Sequence, residues 1–150
     1  MANGINQLIG GHFSISGGVI KNCNEHGATF TPANDGSVSL SGVTIKDNNQ
    51  DNAPGLYGVY LNAANSRIEN CTVKNTSAAS PTQLIGIFLD DCLNPIISGN
   101  IIINHSAVGG YGIYEDGTTD YVTLTSNNLR GNSTAHNVAA AHDIVEHNQT

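Results

Sequence analysis

Four of the five basic residues in this chain, Lys21, Lys46, Lys74 and Arg130, fall at intervals of 25, 28 and 56 residues. One structural period of about 27 residues puts all four in a single column. Like charges stacked at strand spacing mildly oppose one another. Such a column therefore asks for a partner: the carboxylates of an anionic sugar chain, or those of another subunit. The alternative is a solvated row beside Asp47 and Glu69, with the flexible stems splayed apart. Tyr60, Phe88 and Tyr114 form a second column, at intervals of 28 and 26. Aromatic faces suit the C–H surfaces of sugars, and an exposed apolar stripe suits a subunit contact. Ordinary cross-strand stacking accounts for the same residues without any partner.

Two acidic pairs are the candidate catalytic groups, Asp90-Asp91 and Glu115-Asp116, because paired carboxylates serve general acid and base chemistry. Asp90-Asp91 aligns with Asn62-Ala63 at a turn, where Asp is favoured by its local hydrogen bonding. Glu115 falls where the periodicity expects an inward apolar residue and is read as the end of its strand. The six histidines are scattered. His142 and His147 can approach Glu146 near the C-terminal end, but no zinc spacing results. Phosphate loops and nucleophile elbows are missing, as are calcium-type glycine nonapeptides. Neither a metal nor another cofactor is expected.

What positions these residues is a repeat. Leu40, in Val38-Ser-Leu-Ser-Gly-Val-Thr-Ile-Lys-Asp-Asn48, has equivalents at Ile15, Ile68, Ile97 and Leu124. Five residues after each stands a second apolar residue: Ile20, Ile45, Val73, Ile102 and Leu129. The basic column comes one later, alternates with these residues and so points outward. The next position is a corner: Asn22, Asp47, Asn75, Asn104 and Gly131. A further strand reads Gly58-Val-Tyr-Leu61, Gly86-Ile-Phe-Leu89 and Gly112-Ile-Tyr-Glu115, with weaker versions beginning at Gly27 and at Val138. Strict alternation sends Tyr57 and Tyr111 inward.

A period of this length means a solenoid, and short alternating runs mean strands. The expected fold is all-β: a single-stranded parallel β-helix of about five coils, stacked at roughly 4.8 Å with apolar ladders inside. Asn at the corner can stack amide on amide and tolerates a left-handed backbone. Insertions at 49–55, 76–83 and 106–110 follow the same corner, so they should project from one side, where solenoids place binding surfaces. Residues 133–147 fit an Ala-rich cap helix or one more coil. The register favours the coil, with a strand at 138–141 and another from Ile144.

Composition narrows the partners. A net charge of −7 with only 11% charged residues argues against nucleic acid and against an anionic membrane surface. No apolar run approaches the roughly 20 residues of a transmembrane helix. The opening Met-Ala-Asn-Gly-Ile-Asn shows no signal peptide. Cys23, Cys71 and Cys92 fit no metal spacing and are read as free thiols. The 150 residues suit one domain. The first coil starts within about ten residues of Met1 with no capping helix before it. The chain is therefore read as a C-terminal piece of a longer solenoid, or as a protomer of an assembly that covers its ends.

The units Val-Ser-Leu-Ser-Gly-Val-Thr-Ile-Lys-Asp-Asn and Gly-Ile-Tyr-Glu-Asp-Gly-Thr-Thr-Asp-Tyr-Val-Thr-Leu-Thr-Ser-Asn-Asn-Leu resemble the right-handed parallel β-helices of pectate-lyase-like proteins, over about residues 13 to 148. The ending, from Asn127 to Thr134 and from Ile144 to Asn148, is similar to closing coils of bacteriophage tail-spike and appendage proteins. That resemblance implies a homotrimeric, structural module on a virion tail or outside the cell, contacting host-surface polysaccharide. Other members of the superfamily imply the alternative of a polysaccharide lyase, epimerase or hydrolase acting on uronates, with its site beside the lysines. A bare scaffold without activity is the third reading. Leu89-Asp90-Asp91-Cys92 resembles an element of polygalacturonases, but the companion motifs of that family are missing, so no catalytic role carries over.

Overall fold

The structure is a computed structural model and describes residues 4–7, 11–31, 36–50, 57–76, 83–138 and 140–150. In chain order its strands are β1 (Ile5–Gln7), β2 (His12–Ser16), β3 (Val19–Lys21), β4 (Ala28–Phe30), β5 (Ser37–Ser41), β6 (Thr44–Lys46), β7 (Tyr57–Leu61), β8 (Arg67–Glu69), β9 (Thr72–Lys74), β10 (Ile85–Asp90), β11 (Ile96–Ser98), β12 (Ile101–Ile103), β13 (Tyr111–Asp116), β14 (Thr123–Thr125), β15 (Thr134–Asn137) and β16 (Ile144–Glu146). They sort into three parallel sheets. Sheet A is β1-β4-β7-β10-β13-β15, sheet B is β2-β5-β8-β11-β14-β16, and sheet C is β3-β6-β9-β12. The chain thus visits A, B and C in turn and winds as a parallel β-solenoid. Four coils carry all three strands, against the five expected. Beyond them the third side survives only as bridges from Asn128 to Ile101 and to Gln149.

The anchor ladder is in register from Ile15 through Leu40, Ile68, Ile97 and Leu124 to Val145. The second ladder runs Ile20, Ile45, Val73, Ile102. From Leu40 to Leu124 the anchors are fully buried, and each such side chain contributes roughly 1.5–3 kcal/mol.

Two residues after each anchor the chain bends from sheet B into sheet C through a left-handed residue: Gly17, Gly42, Asn70, Gly99, Ser126 and His147. The following side chain turns inside. In the early coils it is Val43 or Cys71; later it is Asn100, Asn127 and Asn148. Here lies the amide ladder. Asn127 Oδ1 accepts from Asn100 N at 3.0 Å and from its Nδ2 at 2.9 Å. Asn148 Oδ1 accepts from Asn127 N at 2.9 Å and Nδ2 at 3.0 Å. The sequence reading had placed that ladder at the other corner. There Asn22, Asp47, Asn104 and Gly131 are left-handed as expected, but Asn75 is buried and clamps the loop after it. Its Nδ2 donates to Gln83 O and Asn104 O, and its Oδ1 accepts from Gln83 N, all at 3.0 Å.

Residues 133–147 form β15 and β16, with no helix among the described residues. The strand lies at 134–137, four residues before the expected 138–141. Tyr111 aligns with Thr134, which puts Ala135 opposite Gly112, where only a small residue fits. The Ala run is displaced into the turn, where Asp143 Oδ2 accepts from Ala140 N at 2.7 Å.

Sheet A departs from strict alternation at a glycine column, Gly4, Gly27, Gly58, Gly86 and Gly112. A Cβ on Gly58 would stand 2.5 Å from Val73 Cγ1 and 2.7 Å from Gly86 O. On Gly86 it would meet Ile102 Cγ2 at 2.4 Å and Gly112 O at 2.6 Å. These glycines face the interior, and so do Val59, Ile87 and Ile113 directly after them. Two successive inward positions flip the phase of whatever precedes them. Gly86→Ala is therefore expected to cost about 3 kcal/mol in denaturant unfolding. Gly109→Ala, with nothing within 4 Å, should cost only the left-handed penalty of about 1 kcal/mol.

His105 is fully buried beside Asn75, and burial lowers its pKa to about 4. Between the ordinary 6.5 and about 4 the unfolded chain holds a proton that the folded chain does not. Stability should fall as pH drops through that window, by about 3 kcal/mol in all. Urea midpoints across the window measure it, and His105→Gln should flatten the slope.

Candidate functional site

The phase flip at the glycine column decides what sheet A shows to solvent. Tyr57 and Tyr111, expected inside, stand on the outer face with Tyr60, Phe88 and Tyr114. Phe88 pairs in register with Tyr60 and with Tyr114. Ring centroids are 5.6 Å apart for Tyr60–Phe88 and for Phe88–Tyr114, 4.6 Å for Tyr57–Phe88 and 4.9 Å for Tyr111–Tyr114. His26 stacks on Tyr57 at 5.1 Å and extends the cluster by one coil. Phe88 is only 9% exposed under its neighbours. It is the foundation of the stack and not a contact surface, which corrects its placement among the partner-facing rings. The signal for Tyr57 and Tyr111 was present in the glycine that follows each.

Beside the rings runs a polar column at the strand ends. Asp90 pairs with Asp116, and the Tyr60 hydroxyl donates to Asp90 Oδ2. Burial, that hydrogen bond and the Asp90 charge push the Tyr60 phenol far above its ordinary pKa. Asp91 has a different task. It is left-handed, and its Oδ1 accepts from Thr118 N at 2.7 Å and Thr118 Oγ1 at 3.0 Å. Those bonds lower its pKa. It is a turn clamp between coils, whereas Asp90, expected at the same turn, ends strand β10.

Glu115 pairs with Leu89 in an inward slot, and β13 runs one residue past it, so it is not the strand's end. Its Oε1 accepts from Ala140 N at 3.1 Å. Glu115, Asp116, Gly117, Thr119, Asn137 and Ala140 line a pocket of about 350 Å³ at the end of the aromatic strip. Thr119, Asn137 and Ala140 carried no sequence signal. They arrive by coil stacking.

The basic column lies on sheet C. Lys21 pairs with Lys46, Lys46 with Lys74, and Lys74 with Ile103. Arg130 follows two residues after Asn128, which bridges Ile101, so the column resumes beyond Ile103. Among the described residues none of these four cations forms an ion pair. The expected neighbours are engaged elsewhere: Asp47 Oδ1 accepts from Thr76 N at 2.6 Å, and Glu69 faces Arg67 at 3.6 Å.

His142 bonds Asp120 at 2.9 Å and stacks on Tyr121, while His147 stands 3.8 Å from Glu146. No group of three or more metal-binding side chains occurs among the described residues. Cys23, Cys71 and Cys92 are free thiols. Loop 106–110 is described, and Val108 there is fully exposed. Most of the insertions at 49–55 and 76–83 lie outside the described residues. One titration checks the Tyr60–Asp90 contact. Asp90→Asn should bring the Tyr60 phenol down toward the ordinary range, read as an earlier rise of near-ultraviolet absorbance, and Tyr60→Phe should remove that rise.

Two solved structures are similar. One is the A-module of mannuronan C-5 epimerase AlgE4 from Azotobacter vinelandii, at 22% identity and TM-score 0.67, covering 89% of this chain and 37% of that one. The other is the A-module of mannuronan C-5 epimerase AlgE6 from the same organism, at 18% identity and TM-score 0.52, covering 99% of this chain and 54% of that one. This chain thus spans from about a third to about half of those structures. No curated protein matches it. The pattern of the right-handed β-helix region matches residues 1–149, nearly every coil described above, and the chain belongs to that family.

Proposed function

We propose that this β-helix contacts polysaccharide along the outer face of sheet A. The observation that carries the reading is one continuous strip: the rings of Tyr57, Tyr60 and Tyr114 packed on Phe88 with Tyr111 edge-on to Tyr114, the carboxylates of Asp90 and Asp116 at their edge, and a polar pocket where the strip ends. Rings take the C–H faces of sugars, and the acids accept their hydroxyls. The strip crosses the coils, so a linear chain can lie along it. The two similar structures are modules of enzymes named for mannuronan, a polysaccharide, which supports the same class of partner.

In the fuller reading the module is a structural segment of a phage-type spike or appendage, working outside the cell as a homotrimer. The resemblance of its closing coils supports this. Contact is favoured over turnover by the division of charge. Uronate chemistry needs a base and neutralising cations around one sugar; here the candidate acids Asp90 and Asp116 stand on sheet A, and Lys21, Lys46 and Lys74 on sheet C.

Affinity electrophoresis through gels containing different polysaccharides tests the reading. At least one glycan should retard the protein, and Tyr114→Ala should weaken that binding about tenfold, or ~1.4 kcal/mol. Failure of every glycan to retard it removes the proposal. A monomer mass in sedimentation removes only the trimeric part.

A further inference from the structure

We infer that the glycan taken by sheet A is uncharged: a hydroxyl-rich chain without uronate, sulfate or phosphate groups. This rests on the reading of that face as a polysaccharide site and specifies its ligand. The first observation is the charge of the face. All five Lys and Arg residues of the chain lie within the described residues, and none is in a strand of sheet A. Five of the twelve acidic residues, Asp90, Asp91, Glu115, Asp116 and Asp120, lie at the ends of β10 and β13 or in the turns that follow. A ligand carboxylate laid along the rings would face Asp90 and Asp116 side by side, with no protein cation to separate them.

The second observation is a hydroxyl that is missing. Tyr60 on one coil gives its phenol to Asp90 on the next. Phe88, one coil on, occupies the equivalent position before Asp116 and has no hydroxyl to give. Asp116 Oδ1 accepts from its neighbour Gly117 N at 2.7 Å, and no aromatic hydroxyl caps the carboxylate. It stands at the mouth of the pocket, beside Thr119 and Asn137. A carboxylate so placed accepts hydrogen bonds, and a sugar diol is the donor of matching geometry. A second carboxylate is not a donor at all.

The lysine column does not change this result, because it belongs to sheet C. Its salt-sensitive attraction acts on another face.

The test uses neutral polysaccharides (dextran, galactomannan, β-glucan) and polyuronates (polygalacturonate, alginate). Each is titrated against the whole chain at low and high sodium chloride, with and without calcium. A neutral glycan should bind with an affinity that salt leaves unchanged, and Asp116→Asn should weaken it about tenfold with an unchanged unfolding midpoint. Lys46→Ala and Lys74→Ala should leave it as it was. Polyuronates should not bind the wild-type chain. If a polyuronate binds more tightly than every neutral glycan, and Tyr114→Ala weakens it while Lys46→Ala and Lys74→Ala leave it as it was, the inference is overturned while the polysaccharide reading stands. If only calcium restores polyuronate binding, and Asp116→Asn abolishes it, the inference of an uncharged ligand also falls. Binding of neither class overturns both.

Discussion

The close approach of successive backbones at the glycine column of sheet A governs the rest of the structure. Each of Gly4, Gly27, Gly58 and Gly86 has the carbonyl of the next glycine where a Cβ would stand, between 2.6 and 2.7 Å away. Side chains from sheet C close the same space from inside, Ile20, Ile45, Val73 and Ile102 in turn. The cross-section of the solenoid is therefore narrow where sheets C and A meet, and only a residue without a side chain can occupy the inner position. The consequence reaches the surface. An inward glycine followed by an inward Val59, Ile87 or Ile113 uses two successive places, and the tyrosine before the glycine is thrown outward. The aromatic face exists because the core at that corner has no room.

The other end of the coil is governed by polar groups. At the bend from sheet B to sheet C, the inward residue changes along the chain from Val43 and Cys71 to Asn100, Asn127 and Asn148. An inward amide is tolerated only if its donors and acceptor are met, and here each is. Asn100 Nδ2 donates to Ile68 O at 2.8 Å, Asn127 Nδ2 to Ile97 O at 2.9 Å, and Asn148 Nδ2 to Leu124 O at 2.9 Å. The later coils lose their third strand, and sheet C continues there only as bridges at Asn128 and Gln149. The asparagines connect backbone to backbone across successive coils from the last full coil onward.

The repeat was legible because it is written in side chains that alternate. The anchors Ile15, Leu40, Ile68, Ile97 and Leu124 fall in register, and so do Lys21, Lys46 and Lys74. What was not legible depends on the third dimension. Alternation alone cannot see that Gly58 faces Val73, so Tyr57 and Tyr111 were read as core. The amide ladder was assigned to the corner richest in Asn, whereas the bend that needs buried amides carries Gly, Asn and Ser at its left-handed position. The last strand of sheet A, β15, begins four residues before the sequence suggests, because the Ala run resembles the earlier small-residue strands. In the structure Tyr111 pairs with Thr134, which places Ala135 opposite Gly112. The pocket was invisible because Thr119 comes from the turn after β13, while Asn137 and Ala140 come from the end of β15 and the segment after it.

In a solenoid one sequence position becomes a column, so a residue that breaks its column has a local cause. Glu115 is the clearest case. Its column holds Phe30, Leu61 and Leu89, all fully buried, and then a carboxylate. A charge in that slot would be costly without a partner. The partner is backbone: Glu115 Oε1 accepts from Ala140 N at 3.1 Å, and Asp143 Oδ2 accepts from the same N–H at 2.7 Å. Two acids from different coils thus converge on the turn that closes the last one. An apolar residue at 115 would continue the core but leave that turn held by Asp143 alone. Ala140 is also a wall of the pocket beside Asp116. The substitution that interrupts the core ladder is therefore the same one that fixes the far wall of the pocket. Glu115 belongs to the framework of the pocket, and Asp116, one residue further, is exposed at its edge.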